Sequence, residues 1–170
     1  MSLSYRCTAI ETVYLGIGSN IEPEKNLRAA VAMLRKSFAG IRFSSVYKSK
    51  AQHIIDQADF LNAVAVFDTA LLPEKVAAKL QKIEKKLKKN PPKKFGPRTI
   101  DLDLLLYGQE ISLDDALTIP HLRLHVRRFV LEPLVELGAG DVLHPGFDRK
   151  LSAYLKETKD QHCEKTRIKL

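Results

Sequence analysis

Two aspartates, Asp101 and Asp103, stand two positions apart within a run of large aliphatic residues. The run is bounded by Gly96-Pro97 before it and Gly108 after it, which is typical of a buried β-strand between turns. Alternate side chains of a strand point to the same face, so the two carboxylates share a face, with Cα atoms roughly 6–7 Å apart. Carboxylates this close repel each other, and a bound divalent cation relieves the repulsion; oxygen-only ligands suit Mg²⁺.

Arg98 precedes the first aspartate by three residues, and a guanidinium is well suited to bind phosphate. A carboxylate pair that holds a cation beside an arginine is equipment for handling a nucleotide triphosphate. A plainer interpretation is also open, because Asp-x-Asp pairs are common and Arg98 can simply pair with Asp101 at the strand end. On its own the pair favours the plainer interpretation, whereas the surrounding segment from Lys94 to Gly108 favours the functional one.

Turn residues and apolar periodicity predict the elements that must position this pair. The sequence predicts three earlier strands, at Thr12 to Ile17, Ile41 to Tyr47 and Phe60 to Phe67. It predicts a turn at Gly18-Ser19-Asn20 and two helices, from Pro23 to about Ala39 and from Pro73 to the stop at Asn90-Pro91-Pro92. In the second helix the apolar stripe leaves Gln81 and Glu84 at the edge of the buried face.

Further elements follow the Asp-x-Asp strand. We expect a turn at Gly108, a short strand around Ile111, a partly helical stretch from His121 to Leu137 interrupted near Pro133, and a last helix near Leu151 to Glu157. The core order β-α-β-β-α-β is typical of an α+β, ferredoxin-like antiparallel sheet with helices packed on it, here with C-terminal additions. A fold of this kind does not by itself give a function.

Composition bounds the class of protein. At 170 residues and 45% hydrophobic content, the chain fits a single folded domain, residues 1–170. Cys7 and Cys163 lie in opposite tails without metal-ligand spacing, which excludes a structural zinc site and favours a reducing compartment. No apolar run reaches the length of a membrane span, and no secretion signal begins the chain. We therefore expect a cytoplasmic protein without a membrane partner.

The net charge of +8 indicates an anionic partner such as nucleic acid, an anionic membrane or a phosphorylated small molecule. Much of the charge lies in one lysine segment, made up of Lys82, Lys85, Lys86, Lys88, Lys89, Lys93 and Lys94. Such a segment is either a solvated face or a loop that faces phosphate. Its place directly before Gly96-Pro97-Arg98 favours the phosphate-facing loop.

The sequence gives little or no support for other nucleotide-binding or metal-binding motifs. Gly16-Ile17-Gly18 begins like a dinucleotide fingerprint but lacks the third glycine and the parallel βαβ unit. The P-loop and protein-kinase motifs are absent from the sequence. His121 and His125 are four apart, but no third ligand stands at matching spacing, so they make a weak metal site.

The segment from Lys94 to Leu105 resembles the signature of the 6-hydroxymethyl-7,8-dihydropterin pyrophosphokinase family of folate biosynthesis, and it meets every position of the core pattern. The resemblance extends from about Thr12 to Val142. It is supported by further segments, namely Gly16 to Asn20, Asp59 to Ala63, Gln81 to Glu84, and a block made of Pro120-His121 and Arg127 to Leu131.

The resemblance implies transfer of pyrophosphate from ATP to the hydroxymethyl oxygen of the reduced pterin, with two Mg²⁺ ions between the aspartates and the phosphates. It implies metal ligands at Asp101 and Asp103, and catalytic residues at Arg98, Asp101, Asp103 and Lys89. ATP would contact Gln81, Glu84, Arg98, Leu104, His121 and Arg127. The pterin would contact Phe60, Asn62, Phe95 and Phe129, with Phe60 and Phe129 on either side of its ring.

Each of these residues also has a structural interpretation. Either phenylalanine can be core packing, His121 can be a surface histidine, and Glu84 can pair with Lys88 one helical turn on. The family's mobile loop usually carries arginines, whereas here the cations are lysines, with Lys89 nearest the usual arginine position. Phe95 stands where the family usually has tryptophan. We expect a monomer that acts on small molecules; the alternatives are a weakly active nucleotide-binding relative and a ferredoxin-like nucleic-acid-binding module.

Overall fold

The computed structural model describes residues 9–51, 56–88 and 96–170. Its main sheet has six strands, all antiparallel, in the order β10-β3-β4-β1-β5, with the short β2 also paired to β4. These strands are β1 (Glu11–Ser19), β2 (Arg42–Phe43), β3 (Tyr47–Ser49), β4 (Phe60–Thr69), β5 (Asp101–Tyr107) and β10 (Cys163–Lys165). The ferredoxin-like arrangement predicted from the sequence is confirmed, since β3, β4, β1 and β5 lie side by side in that order.

Helices cover both faces of this sheet. On one face α1 (Pro23–Ser37) and α2 (Pro73–Lys86) bury apolar stripes that include Leu34 and Leu80. The opposite face carries α3 (Arg128–Glu136) and α4 (Leu151–Glu157), together with two short 3-10 turns at Leu124–Val126 and Ala139–Asp141. Two small hairpins complete the fold, formed by β6 (Ser112–Asp114) with β7 (Leu117–Ile119) and by β8 (Leu143–His144) with β9 (Arg149–Lys150).

Strand β5 is buried on both faces from Leu104 to Tyr107, as the apolar run predicts. Ile100, Leu102 and Leu104 enter the core beneath α1 and α2. Asp101 and Asp103 therefore point to the other face of the sheet, the one that carries α3, because side chains alternate along a strand. The shared face of the two aspartates is confirmed by this alternation.

The first two strands differ from the prediction. Gly18 and Ser19 are not a turn but the last residues of β1, and Ser19 is fully buried, with its hydroxyl donating to the Thr99 carbonyl at 2.6 Å. The strand predicted over Ile41 to Tyr47 is broken into β2 and β3. The Ser44 hydroxyl accepts the Val64 N–H at 2.9 Å in place of a backbone carbonyl, so the regular ladder is interrupted there.

Later elements bring two more corrections. Helix α3 runs through Pro133 and is not interrupted by it, because Leu131 and Leu134 on its inner face are fully buried and packing offsets the missing backbone hydrogen bond. The expected strand around Ile111 begins one residue later, at Ser112. The C-terminal tail adds β10 to the sheet beside β3. Among the described residues, none of the helices combines the length and apolarity needed to cross a membrane.

Candidate active site

A cavity of about 300 Å³ opens on the α3 side of the sheet, above the ends of β1, β4 and β5. It collects eight of the thirteen residues that the sequence singled out. They are Phe60, Asn62, Arg98, Asp101, Asp103, His121, Arg127 and Phe129. These side chains come from β4, β5, the segment before β5, the segment between β7 and α3, and the first turn of α3, so the fold brings together residues that are far apart in sequence.

At the floor of the cavity, each aspartate on β5 lies across from a glycine on β1. In the register of β1 with β5, Asp101 lies opposite Gly18 and Asp103 lies opposite Gly16. Cross-strand partners project to the same face, and a glycine projects nothing, so neither carboxylate faces a side chain from β1. A methyl group added at Gly18 would lie 3.2 Å from the Asn62 side-chain oxygen, so glycine also allows Asn62 its position.

Arg98 is placed both to pair with Asp101 and to bind phosphate, the two roles suggested by its sequence position. Its Nη1 donates to Asp101 Oδ2 at 2.6 Å, and both side chains are roughly three-quarters buried. The plain pairing of Arg98 with Asp101 is therefore present. Arg98 also lines the cavity, so its guanidinium can contact an anion there while it holds the first aspartate.

His121 is a neutral hydrogen-bond donor in this site. Burial, and next the charge of Arg127, lower the pKa of its imidazole to about 4. Its Nδ1 accepts the Arg123 N–H at 3.1 Å, so we assign the ring proton of the neutral form to Nε2. Nε2 lies 3.9 Å from Asp103 Oδ2, which leaves its proton directed at the space beside the carboxylate.

Arg127 supplies a partly buried cation. Burial lowers its pKa, followed by the charge of Arg123, but an arginine still stays protonated near neutral pH. Its guanidinium carbon lies 5.5 Å from the centre of the Phe129 ring. Its Nε is buried and has no hydrogen-bond partner within the described part of the chain, which fits a donor reserved for a ligand.

The other end of the cavity carries aromatic side chains. Phe60 begins β4, and Phe129 lies in the first turn of α3, so two rings line the same space from different elements. Between them Asn62 is buried, and its Nδ2 donates to the Ser49 hydroxyl at 2.9 Å. A planar heterocycle with polar edges is the kind of ligand that such a lining accommodates.

Three predicted nucleotide contacts lie outside this lining. Leu104 is buried in the core beneath α1 and α2, and Gln81 is exposed on α2. Glu84 is half-buried on α2, and its Oε1 accepts the Leu102 N–H at 2.8 Å, so it holds β5 between the two aspartates. The contacts of these three residues with ATP remain predictions. Lys89 and Phe95 lie outside the described residues, as do Cys7, Lys93 and Lys94.

Arg123 is a cavity residue that sequence reasoning missed. It contributes a third arginine to the lining, and its backbone N–H orients the His121 ring. Nothing in the motif around Pro120-His121 distinguishes Arg123 from an ordinary surface arginine. Only the turn that carries the chain from β7 into α3 reveals its position.

The donor set fits magnesium carried in with a phosphate ligand. The described residues contain no group of three or more histidine, cysteine or acidic side chains that could hold a metal ion. Asp101 and Asp103 nevertheless offer carboxylate oxygens to one space. Mg²⁺ is usually held by one or two carboxylates together with substrate phosphates and water, so two protein ligands are sufficient.

A ferredoxin-like sheet whose cavity joins a ring-binding end to a carboxylate and arginine end defines an enzyme that brings a flat heterocycle to a polyphosphate. Comparison with known proteins makes the class specific. The family model described as 7,8-dihydro-6-hydroxymethylpterin-pyrophosphokinase (HPPK) matches residues 14–139. The chain belongs to this family.

Curated relatives agree with the family match. The 2-amino-4-hydroxy-6-hydroxymethyldihydropteridine pyrophosphokinase of Haemophilus influenzae is 39% identical over 162 residues, which cover 94% of this chain and 98% of the relative. The protein of the same name from Aquifex aeolicus is 37% identical over 147 residues, covering 86% and 91%.

Solved structures share the fold. A Plasmodium falciparum HPPK-DHPS crystal structure superposes with a TM-score of 0.71 at 13% identity, covering 90% of this chain and 46% of that chain. A structure of HPPK-DHPS in complex with substrates gives a TM-score of 0.69 at 14% identity, covering 89% and 44%. This chain thus spans less than half of those longer chains.

Proposed function

We propose that the protein transfers the terminal diphosphate of ATP to the hydroxymethyl oxygen of 6-hydroxymethyl-7,8-dihydropterin, and that the cavity on the α3 side is where it does so. As a member of the pyrophosphokinase family, the protein is an ATP-dependent diphosphotransferase of folate synthesis. The single observation that supports the site is the meeting of Phe60, Asn62 and Phe129 with Arg98, Asp101, Asp103, His121 and Arg127 around one space.

The proposed reaction joins the two ends of that space. The pterin ring lies between Phe60 and Phe129, with its polar edge at Asn62, which sends the hydroxymethyl group toward the aspartates. The hydroxymethyl oxygen attacks the β-phosphorus, the bond from that phosphorus to the bridging α–β oxygen breaks, and AMP leaves with the bridging oxygen. The hydroxyl proton is released. Most of the acceleration comes from alignment of the two substrates and from cations placed at developing charge.

The residues divide this work among them. Asp101 and Asp103 would hold Mg²⁺, and we propose two ions, whose chemistry when bound is to shield phosphate charge and polarise the reacting oxygens. Arg98 and Arg127 would contact phosphate oxygens. His121 would donate a hydrogen bond from Nε2–H to a phosphate oxygen and would not act as a base, because Nδ1 already accepts the Arg123 N–H.

The decisive experiment measures products rather than ATP loss. Purified protein is incubated with ATP, Mg²⁺ and the hydroxymethyl pterin, and AMP, ADP and pterin diphosphate are separated by liquid chromatography and mass spectrometry. We expect AMP and pterin diphosphate in equal amounts, and no AMP without pterin. Formation of ADP in place of AMP, or the absence of any pterin-dependent AMP, would refute the proposed reaction. Very slow turnover would identify the weakly active relative.

Five further features are proposed with this function. We propose a monomer that acts in the cytoplasm, uses small-molecule substrates and does not require nucleic acid. We also propose that the chain forms one domain, an inference supported by β10, which returns the C-terminal segment to the main sheet. Gel filtration with light scattering tests the monomer, and salt-sensitive RNA binding without ATP affinity would support the nucleic-acid alternative.

A further inference from the structure

Asn20 is a buried polar residue that the proposed mechanism does not use. It follows the last residue of β1, and only 6% of its surface is exposed. Its Nδ2 donates to Gln57 Oε1 at 3.2 Å and to the Ala58 carbonyl at 3.1 Å. Its Oδ1 accepts the Arg98 N–H at 2.7 Å, and its own N–H donates to the Arg98 carbonyl at 3.0 Å.

These bonds tie together two segments that carry opposite ends of the cavity. Gln57 and Ala58 lead into Phe60 at the start of β4, on the ring-binding end. Arg98 leads into Asp101 at the start of β5, on the phosphate end. The two segments are about forty residues apart in sequence. Asn20 is therefore a direct link between them through one side chain.

An asparagine is chemically suited to this link. Its amide donates through nitrogen on one side and accepts through oxygen on the other, so it can bond a carbonyl and an N–H at the same time. Because the group is buried, each unmade bond would carry a desolvation cost, which keeps both segments at fixed distances from the end of β1. The adjacent Ser19 hydroxyl, bonded to the Thr99 carbonyl, reinforces the phosphate side only.

We propose that Asn20 is a positioning residue that sets the separation between the pterin end and the phosphate end of the cavity. The inference rests on the proposed function, since it assigns those ends to the two substrates. In-line transfer is sensitive to displacements of about 1 Å between reacting groups. Loosening this link should therefore lower kcat strongly even where the protein remains folded.

The principal test compares Asn20→Ala with Asn26→Ala. Asn26 is also a buried asparagine, and its Nδ2 donates to the Ile21 carbonyl at 2.6 Å, but neither Asn26 nor Ile21 lines the cavity. We expect Asn20→Ala to lower kcat at least tenfold and to raise KM for the pterin. Asn26→Ala should lower the melting temperature comparably and leave kcat within about twofold of the unchanged protein.

A second variant separates the two halves of the link. Asn20→Asp keeps an oxygen that accepts the Arg98 N–H and loses both Nδ2 donations. We expect it to raise KM for the pterin, while native-state hydrogen exchange of the Arg98 amide stays slow. In Asn20→Ala the same amide should exchange faster, and in Asn26→Ala it should not.

The outcomes distinguish failure of this inference from failure of the proposed function. If the unchanged protein forms pterin diphosphate and Asn20→Ala matches it in kcat and both KM values, the positioning role is wrong. If the unchanged protein forms no product, the proposed function fails, and the Arg98 amide exchange still decides whether Asn20 holds the two segments. Unaltered exchange in Asn20→Ala would overturn the link in either case.

Discussion

Two sets of carboxylates on the α3 side of the sheet differ in what surrounds them. Glu136, the last residue of α3, accepts hydrogen bonds from the Ser45 hydroxyl at 2.7 Å, the Tyr47 hydroxyl at 2.8 Å and the Lys165 ammonium at 3.2 Å. Burial alone would raise the pKa of Glu136, but these bonds together lower it. Asp101 and Asp103 instead line the cavity, and 41% of the Asp103 side chain is exposed.

We propose that the difference separates a carboxylate that stabilises the fold, Glu136, from two carboxylates that bind a ligand, Asp101 and Asp103. The protein satisfies Glu136 with its own donors, so that α3, β3 and β10 are joined at one point. It places Asp101 and Asp103 side by side opposite two glycines, where Arg98 pairs with Asp101 and a bound divalent cation would further relieve the repulsion between the carboxylates. Stability and activity should therefore respond in opposite ways when the two kinds of carboxylate are removed.

The largest effect is expected at the cavity pair. Asp103→Asn should lower turnover by roughly 10³, about 4 kcal/mol of activation free energy, because a metal ligand is lost. The melting temperature should be unchanged or higher, because a like charge beside Asp101 is removed. Steady-state kinetics and thermal unfolding on the same sample measure both. A turnover near that of the unchanged protein would contradict the assignment of Asp103 as a ligand.

The opposite pattern is expected at Glu136. Glu136→Ala should lower the free energy of unfolding by about 2–3 kcal/mol, because the hydroxyls of half-buried Ser45 and buried Tyr47 lose their acceptor. Turnover measured well below the melting temperature should stay within about twofold. Urea unfolding provides the measurement, and Glu164→Ala, an exposed glutamate on β10, is the control with an expected change near zero. Equal decreases in the free energy of unfolding for Glu136→Ala and Glu164→Ala would contradict the structural role of Glu136.

Glu84 is a further carboxylate for which a structural role and a ligand-binding role can be distinguished. Its bond to the Leu102 N–H predicts a loss of about 1–2 kcal/mol of stability in Glu84→Ala and little loss in Glu84→Gln, which keeps an acceptor. If Glu84 acts mainly on the nucleoside, both variants should instead raise KM for ATP with stability unchanged. Chemical unfolding together with ATP titration separates the two roles.

The smallest effect is a pH dependence at Glu136. Its pKa is lower in the folded protein than the ordinary value of 4.5, so its contribution to stability is fully present above that pH and is lost as the pH falls below it. The stability difference between the unchanged protein and Glu136→Gln should therefore be largest near neutral pH and shrink below about pH 4.5. A difference that is constant from pH 7 to pH 3 would show that the carboxylate charge is irrelevant.

The sequence predicted best where a pattern has a single physical cause. Leu102 and Leu104 alternate with the aspartates, as expected for a strand with one apolar face, and the run Leu104-Leu105-Leu106 is typical of a strand buried on both faces. The helices α1 and α2 follow from apolar stripes that begin at Pro23 and Pro73. The site residues followed from family resemblance, which supplied roles that no periodicity contains.

The remaining features depend on contacts between distant segments. Cys163–Lys165 is three residues long and mostly polar, so only its pairing with Tyr47–Ser49 makes it a strand. The break at Ser44 depends on a hydroxyl that meets Val64 across the sheet. The position of Arg123 in the cavity and the hydrogen bonds of Asn20 likewise depend on tertiary contacts between loops. Local secondary-structure propensity does not predict such contacts.

The hydrogen bonding at the two edges of the main sheet affects how readily the protein self-associates. At the outer edge of β5, Glu84 occupies the Leu102 N–H and the His121 N–H occupies the Leu105 carbonyl. At the other edge, β3 is covered by β10, whose Glu164 and Lys165 are exposed. The outermost strands are therefore β5, which has two of its outer backbone groups occupied, and β10, which is only three residues long and charged, so the protein should resist edge-to-edge aggregation at high concentration.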